Sequence, residues 1–121
     1  YFDHTLTENI DKLGPREVWA LSRWDDHGDR LIPYHKRDSQ DAWIIRGAID
    51  IEAPYKMGVP GIDNVLAHVL RANFYDVTNP CETVRAIHLH RSGYRTYGAG
   101  RGQEKMYRYG PPYAFVQPCS L

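Results

Sequence analysis

Apolar and polar residues alternate most regularly between Asp41 and Ala53, in the run DAWIIRGAIDIEA. The odd positions from 43 to 51 are apolar or small, whereas the even positions include Arg46, Asp50 and Glu52. A period of two is typical of a β-strand with one buried face. We therefore predict that this run is the central strand of the protein, with Glu52 on its open face.

Two helical signals precede this strand. The run Thr5-Leu6-Thr7-Glu8 has the form of a capping box and predicts a helix that begins there. Proline is favoured at the first position of a helix, so a second helical segment is predicted from Pro15 to about Trp24, with Val18 and Leu21 in its buried stripe. Four residues of the central strand are expected to pack against that stripe: Trp43, Ile45, Ile49 and Ile51.

Further strands are predicted on either side of the central one. Arg30 to His35 follows a turn cluster and predicts a first strand. The segment Thr83 to Arg91 alternates again and predicts a late strand on which His88 and His90 share a face. The apolar residues between Ile62 and Leu70 fit either a helix or a strand, and we favour a strand for the first half.

The bulk composition limits the classes of function. A chain of 121 residues is expected to form one domain, in which about residues 92–121 are a segment rich in Gly, Tyr and Arg. Fifteen basic residues balance fifteen acidic ones, so any binding of polyanions must be local. No run of eighteen apolar residues occurs, so no membrane partner is expected. No motif for a nucleotide, a serine nucleophile or a zinc quartet is found, and we expect no cofactor and no metal.

The two cysteines, Cys81 and Cys119, do not resemble a metal cluster. One disulfide between them is the simplest interpretation if the protein is extracellular, and it would contribute about 3 to 4 kcal/mol through loop closure. In a reducing compartment both would be buried thiols. A chain that begins at Tyr1 fits a mature secreted domain, although an expressed fragment would look the same. We therefore expect secretion and a Cys81–Cys119 pair.

Two patterns could carry chemistry. A histidine facing a carboxylate on a neighbouring strand is the arrangement that general acid–base catalysis needs, and His35 with Glu52 is the candidate pair. The simpler alternative is a solvated glutamate on an open strand face. In the C-terminal segment, arginines alternate with tyrosines, a pattern that can stack bases and hold phosphates. The alternative is a long hairpin with snorkelling cations.

Several short motifs together resemble the small secreted fungal guanyl-specific ribonucleases and the sarcin-type ribotoxins. They are the capped helix, Pro33-Tyr34-His35-Lys36, the strand with Glu52, the turn Pro60-Gly61-Ile62-Asp63-Asn64, and His90 in HLHRSG. The resemblance implies an α+β fold in which a single N-terminal helix packs on a twisted antiparallel sheet. It also implies catalytic roles, vestigial or active, for Tyr34, His35, Glu52 and His90.

One departure from the family pattern matters for function. Asn64 stands where the family has an arginine that faces the phosphate in the transition state, and a neutral amide cannot supply that charge. Arg71 or Arg46 could replace it only if the fold brings one of them to the site. In this respect the chain is similar to the ribonuclease-like effectors that powdery mildew fungi secrete into plant cells, where catalytic residues are lost. Those effectors typically open with Tyr-x-Cys, which this chain lacks.

The resemblance therefore implies a secreted effector, active as a monomer, with translocation into a host cell as a further option. It would bind host RNA or a host protein such as a plant immune receptor without cleaving RNA. Binding to RNA would depend on four residues, Lys36, Arg37, Arg91 and Arg95. One alternative is an active ribonuclease that uses His35, Glu52 and His90. Another is a degenerate ADP-ribosyltransferase, although no Ser-Thr-Ser strand or Glu-x-Glu loop is found.

Overall fold

The computed structural model describes residues 1–89 and 108–121. Its elements in chain order are α1 (His4–Asn9), a 3-10 turn (Ile10–Lys12), β1 (Glu17–Leu21), β2 (Arg23–Asp26), β3 (Leu31–Tyr34), β4 (Ala42–Ile45), α2 (Ile62–Ala72), β5 (Asp76–Thr78) and β6 (Ala86–Leu89). The protein therefore belongs to the α+β class, as its sequence predicted.

The strands form two small sheets of mixed direction. The first has the order β4-β1-β5 and the second has the order β3-β2-β6. In each sheet the central strand is antiparallel to one neighbour and parallel to the other. The prediction of one antiparallel sheet beneath a single helix was thus wrong for the described residues, which contain two helices and two mixed sheets.

The two sheets share one nearly continuous stretch of chain. Only Ser22 separates β1 from β2, and both Ser22 and Asn79 are completely buried. The Ser22 N–H donates to Asn79 Oδ1 at 3.0 Å, and Asn79 Nδ2 donates to Ser22 Oγ at 3.0 Å. Because a buried polar group must be hydrogen-bonded, this pair specifies the point at which the chain passes from one sheet to the other.

The strand β1 is buried on both faces. Val18 and Ala20 pack with α2 through Ala67 and Leu70, whereas Trp19 and Leu21 belong to a second cluster with Leu13, Cys81 and Val84. A strand buried on both faces loses the alternation of apolar and polar residues. The helix predicted from Pro15 to Trp24 was therefore wrong, because the structure has β1 and β2 there and the apolar residues of β1 do not alternate with polar ones. Val18 and Leu21 are nevertheless core residues, as predicted.

The predicted central strand is shorter than expected. Only Ala42–Ile45 is a strand, and Gly47 follows it with a φ of 80°. The predicted packing holds in part, because Trp43 and Ile49 contact the core, as does Ile51, whereas Ile45 is exposed. Glu52 therefore lies in an exposed segment without strand structure, contrary to the prediction.

The segment from Ile62 to Ala72 is a helix, so our preference for a strand in its first half was also wrong. Its buried residues, Ile62, Val65 and Leu70 among them, follow a helical period, and Ala67 and Leu70 pack against β1 and β5. At the N-terminus of the chain, α1 begins one residue before the predicted capping box. Asp3 caps it by accepting a hydrogen bond from Thr5 N at 3.0 Å.

The described part of the C-terminal segment lies across the N-terminus of α2. Tyr109 N donates to Pro60 O at 2.9 Å, and Ala114 N donates to Asn64 O at 2.9 Å. Further along, Val116 N donates to Arg37 O at 2.8 Å. These backbone hydrogen bonds place residues from the end of the chain beside the loop that follows β3.

Candidate nucleic-acid interface

The predicted site residues Tyr34 to Arg37 lie at the end of β3 and in the loop that follows it, and Ser22 holds the backbone of that loop. The Ser22 hydroxyl lies 2.9 Å from Lys36 O and 2.7 Å from Ser39 O, and its single hydrogen is shared between these two carbonyls. Gln40 Nε2 adds a hydrogen bond to Arg37 O at 3.1 Å. Buried hydrogen bonds of this kind hold the loop backbone in one conformation, so its side chains start from defined positions.

Tyr34 lies between two cations. The Arg23 guanidinium is 4.1 Å from the centre of the Tyr34 ring, and Lys36 Nζ is 4.8 Å from it. Both distances are within the range of a cation–π interaction. Arg23 is neutralised by Asp25 at 2.7 Å and by Asp41 at 3.6 Å, whereas Lys36 is exposed and forms no ion pair with a described residue.

A second aromatic ring contacts Arg37, the residue that follows Lys36. The Arg37 guanidinium lies 4.7 Å from the centre of the Phe115 ring, and Arg71 donates to Phe115 O at 3.0 Å. Neither arginine pairs with a carboxylate in the described part of the chain. We call the surface formed by Tyr34, Lys36, Arg37, Phe115 and Arg71 the cationic strip. None of its three cations forms an ion pair with a described carboxylate, and each of them contacts one of the two aromatic residues.

Sequence reasoning identified Tyr34, Lys36 and Arg37 but did not place Arg71 or Phe115 on the same surface. Phe115 reaches Arg37 only because the C-terminal segment returns to the loop after β3. No local pattern encodes that contact. The predicted binding residues Arg91 and Arg95 lie outside the described residues, as does the predicted catalytic residue His90.

His35 points into the protein. Its ring meets the Trp24 ring edge-on, with 4.7 Å between centroids, and its Nε2 is buried without a hydrogen-bond partner among the described residues. Burial lowers the pKa of His35, and the nearby Glu82 carboxylate opposes that shift. The acidic group that acts on His35 is therefore Glu82. Glu52, the predicted partner, is exposed and forms no hydrogen bond or ion pair within the described residues.

The turn that resembles the ribonuclease motif has a structural role. Asn64 is buried, and its backbone carbonyl accepts the hydrogen bond from Ala114 N. Asp63 Oδ2 accepts a hydrogen bond from Gln40 N at 3.0 Å. Burial raises the pKa of Asp63 to about 6; the bond from Gln40 opposes this shift, and the carboxylates of Asp41 and Asp38 add to it.

The two arginines that could replace the missing family arginine are bound to backbone carbonyls. Arg71 donates to Phe115 O and to Val77 O at 3.0 Å, and Arg46 donates to Leu13 O at 3.3 Å. Neither contacts His35 or Glu52. The arginine that does contact a predicted site residue is Arg23, on the Tyr34 ring.

Cys81 and Cys119 are free thiols in the structure, which shows no disulfide. Their backbones are nevertheless close, because Glu82 N donates to Cys119 O at 3.1 Å and Cys119 N donates to Asn79 O at 2.9 Å. Burial raises the pKa of the Cys81 thiol to about 11, with a further contribution from Glu82. The predicted pairing of the two cysteines stays a prediction.

Comparisons with known proteins do not place this chain in a family. No family model matches it, and no curated protein or solved structure is significantly similar to it. Among residues 1–89 and 108–121, no group of three or more His, Cys, Asp or Glu residues is arranged to hold a metal ion. No helix in that same part of the chain is long and apolar enough to cross a membrane.

Proposed function

We propose that this protein binds single-stranded RNA through the cationic strip and does not cleave it. The observation that carries the proposal is that Lys36, Arg37 and Arg71 contact Tyr34 or Phe115 and form no ion pair with a described carboxylate. Cations that track a phosphate backbone beside aromatic rings are the usual elements of a surface that binds single strands.

Because the protein has no net charge, the cationic strip is stronger evidence for a specific RNA-binding surface than the same residues would be on a basic protein. With fifteen basic and fifteen acidic residues, the chain has no net charge that would attract RNA from a distance. Affinity must then come from phosphates that contact the strip directly. Each such contact releases counterions, and three contacts to a single strand correspond to a slope of about −2 in a plot of log K against log salt concentration.

The absence of cleavage is supported by the surroundings of His35 and Glu52. Acid–base catalysis requires both groups to reach the reacting centre. His35 is directed toward Trp24, its lowered pKa favours the neutral form at pH 7, and Glu52 lies apart in an exposed segment. Asn64, which stands in place of the family arginine, is used for packing against the C-terminal segment.

The role of a secreted effector remains part of this proposal, and it rests on the sequence motifs alone. A host protein is the second candidate partner, and an active ribonuclease or a degenerate ADP-ribosyltransferase are the alternatives. The experiment below distinguishes RNA binding from RNA cleavage directly.

RNA binding is tested by fluorescence anisotropy with a short labelled single-stranded RNA over a range of salt concentrations. The double variant Lys36→Ala/Arg37→Ala should make the slope less steep by about 1.4, because two of three phosphate contacts are lost. A matched control, Arg30→Ala/Lys56→Ala, removes the same charge from two exposed residues outside the strip. It should leave the slope unchanged.

Equal slopes for the two double variants would contradict the proposal, because binding would then follow net charge and not the strip. The RNA recovered after incubation is also run on a denaturing gel and should be intact. If it is degraded, and Glu52→Gln abolishes the degradation, the active-ribonuclease alternative replaces the proposal.

A further inference from the structure

Phe74 has an unusual backbone conformation for its residue type. It follows the end of α2 with a φ of 67°, and within the described residues it is the one non-glycine residue with a positive φ. Phe74 N donates to Arg71 O at 3.1 Å, and Tyr75 N donates to Leu70 O at 3.1 Å. This is the hydrogen-bonding pattern of a helix C-terminus at which glycine is preferred, because a Cβ atom destabilises the left-handed conformation.

The phenylalanine ring does not compensate for that conformation by packing. Phe74 is 86% exposed, the largest exposure among the large hydrophobic residues of the described chain. A residue that is strained at its backbone and almost completely solvated contributes less to folding than glycine would at the same position. Strain of this kind, when it is observed, is a reason to look for a role in binding.

Two arginines flank Phe74. Arg71 is three residues earlier and already belongs to the cationic strip. On the other side, Arg16 donates from its guanidinium to Asn73 O at 2.6 Å and lies 4.1 Å from the centre of the Tyr75 ring. Glu17 directly follows Arg16, Asp76 comes five residues after Arg71, and neither carboxylate forms an ion pair with these arginines. Phe74 thus directly follows the residue whose carbonyl binds Arg16 and lies about one turn beyond Arg71, and no described carboxylate neutralises either arginine.

We propose that Phe74 is a stacking platform for a base of single-stranded RNA, at the end of the cationic strip. Arg71 and Arg16 would bind the phosphates on either side of the stacked base. This inference rests on the proposed function. An exposed aromatic ring favours a base of any identity, because every base has a π-face, and it requires a base that is not stacked within a duplex.

The test uses the full chain and compares a labelled single-stranded RNA with a duplex of the same length by fluorescence anisotropy. Phe74→Ala should weaken binding of the single strand about tenfold, since a stacked base contributes on the order of 1 to 3 kcal/mol. The salt slope should not change, because no charge is removed. Phe74→Tyr keeps a ring and should restore binding to within about twofold of the original protein.

Two further variants separate stacking from effects on the fold. Phe74→Gly should unfold at a higher urea concentration than the original protein and yet bind the single strand as weakly as Phe74→Ala. Met57→Ala removes an exposed apolar side chain, 68% accessible, that carries no ring. It should leave RNA binding unchanged.

The outcomes distinguish this inference from the function on which it rests. If Phe74→Ala binds the single strand as well as the original protein while Lys36→Ala/Arg37→Ala shows the expected less steep salt slope, the platform is refuted and the proposed function stands. Equal weakening for single strand and duplex would also refute stacking. If the original protein binds no RNA, both proposals fail, and a protein partner becomes the explanation to test for the exposed ring.

Discussion

Asp63 offers a quantitative test of how the fold is held together. Its carboxyl group is half-buried in a cleft of about 240 Å³ beside Arg23 and Asp41, and it accepts the Gln40 backbone N–H. Burial, with Asp41 and Asp38 nearby, raises the pKa of Asp63 from 3.8 to about 6, although Gln40 N favours the ionised form. The ionised carboxylate is therefore less stable in the folded protein than in the unfolded chain.

The magnitude follows from the linkage between protonation and folding. One unit of pKa corresponds to about 1.4 kcal/mol, so a rise from 3.8 to about 6 amounts to about 3 kcal/mol. Screening by solvent in the open cleft reduces this to about 2 kcal/mol. Between about pH 4 and pH 6 the folded protein retains a proton that the unfolded chain has lost. The free energy of unfolding should thus fall as the pH rises through this window, and the full cost applies above it.

Asp63→Asn removes the charge and keeps an oxygen that can accept the Gln40 N–H. We expect this variant to be more stable than the original protein by about 2 kcal/mol at pH 8 and equally stable near pH 4. Urea unfolding followed by tryptophan fluorescence at several pH values measures both quantities. Asp29→Asn, which neutralises an exposed carboxylate, is the control and should leave the difference between pH 4 and pH 8 unchanged.

The comparison between variants isolates Asp63 from other titrating groups. His35 acts in the opposite sense, because its lowered pKa adds stability that is lost as the pH falls through its titration range. That contribution is common to the original protein and to Asp63→Asn. If the two proteins keep the same difference in stability at pH 4 and at pH 8, the carboxyl group does not carry the predicted cost, and its assigned environment is wrong.

Two remaining predictions concern the C-terminal segment. Gly61 has a φ of 89°, and a Cβ atom there would lie 2.7 Å from Tyr109 O, whereas Gly58 has a φ of 87° with open space around it. Gly58→Ala should lower the free energy of unfolding by about 1 kcal/mol. Gly61→Ala should lower it clearly more, because the added Cβ atom also displaces the C-terminal segment at Tyr109. Equal urea midpoints for the two variants would refute the contact between Gly61 and Tyr109. Titration of unreduced, denatured protein should find no free thiol if Cys81 and Cys119 are joined, and two thiols per chain would disprove the pairing.

The local parts of the structure could be predicted from the sequence. A helix near the N-terminus was predicted and is found as His4–Asn9, and the strand predicted from Arg30 to His35 is found as Leu31–Tyr34. The late strand begins within its predicted range, at Ala86. Each of these elements has its signal within a few residues of the chain, in a polar cap, a turn cluster or an alternating run.

Where the rest of the fold buries an element, the sequence pattern predicted the wrong type of secondary structure. Every residue from Val18 to Leu21 is buried, so β1 has no polar face from which a strand could be recognised. The apolar residues of segment 62–70 fit the period of a helix and the period of a strand. The segment forms a helix because its apolar side packs on β1 and β5. In both cases the deciding contacts are distant in sequence and outweigh local propensity.

The sequence by itself determined the α+β class, the balance of charge and the closeness of Tyr34, at the end of one strand, to Lys36 and Arg37 on the loop that follows. Only the tertiary structure decided that His35 and Glu52 do not form a pair, that Phe115 and Arg71 join Lys36 and Arg37, and that Phe74 is exposed in a left-handed conformation. The physical reason is that a side chain's partners depend on how distant segments pack. A pattern in the chain specifies which face is apolar, and it does not specify what covers that face or what is left uncovered.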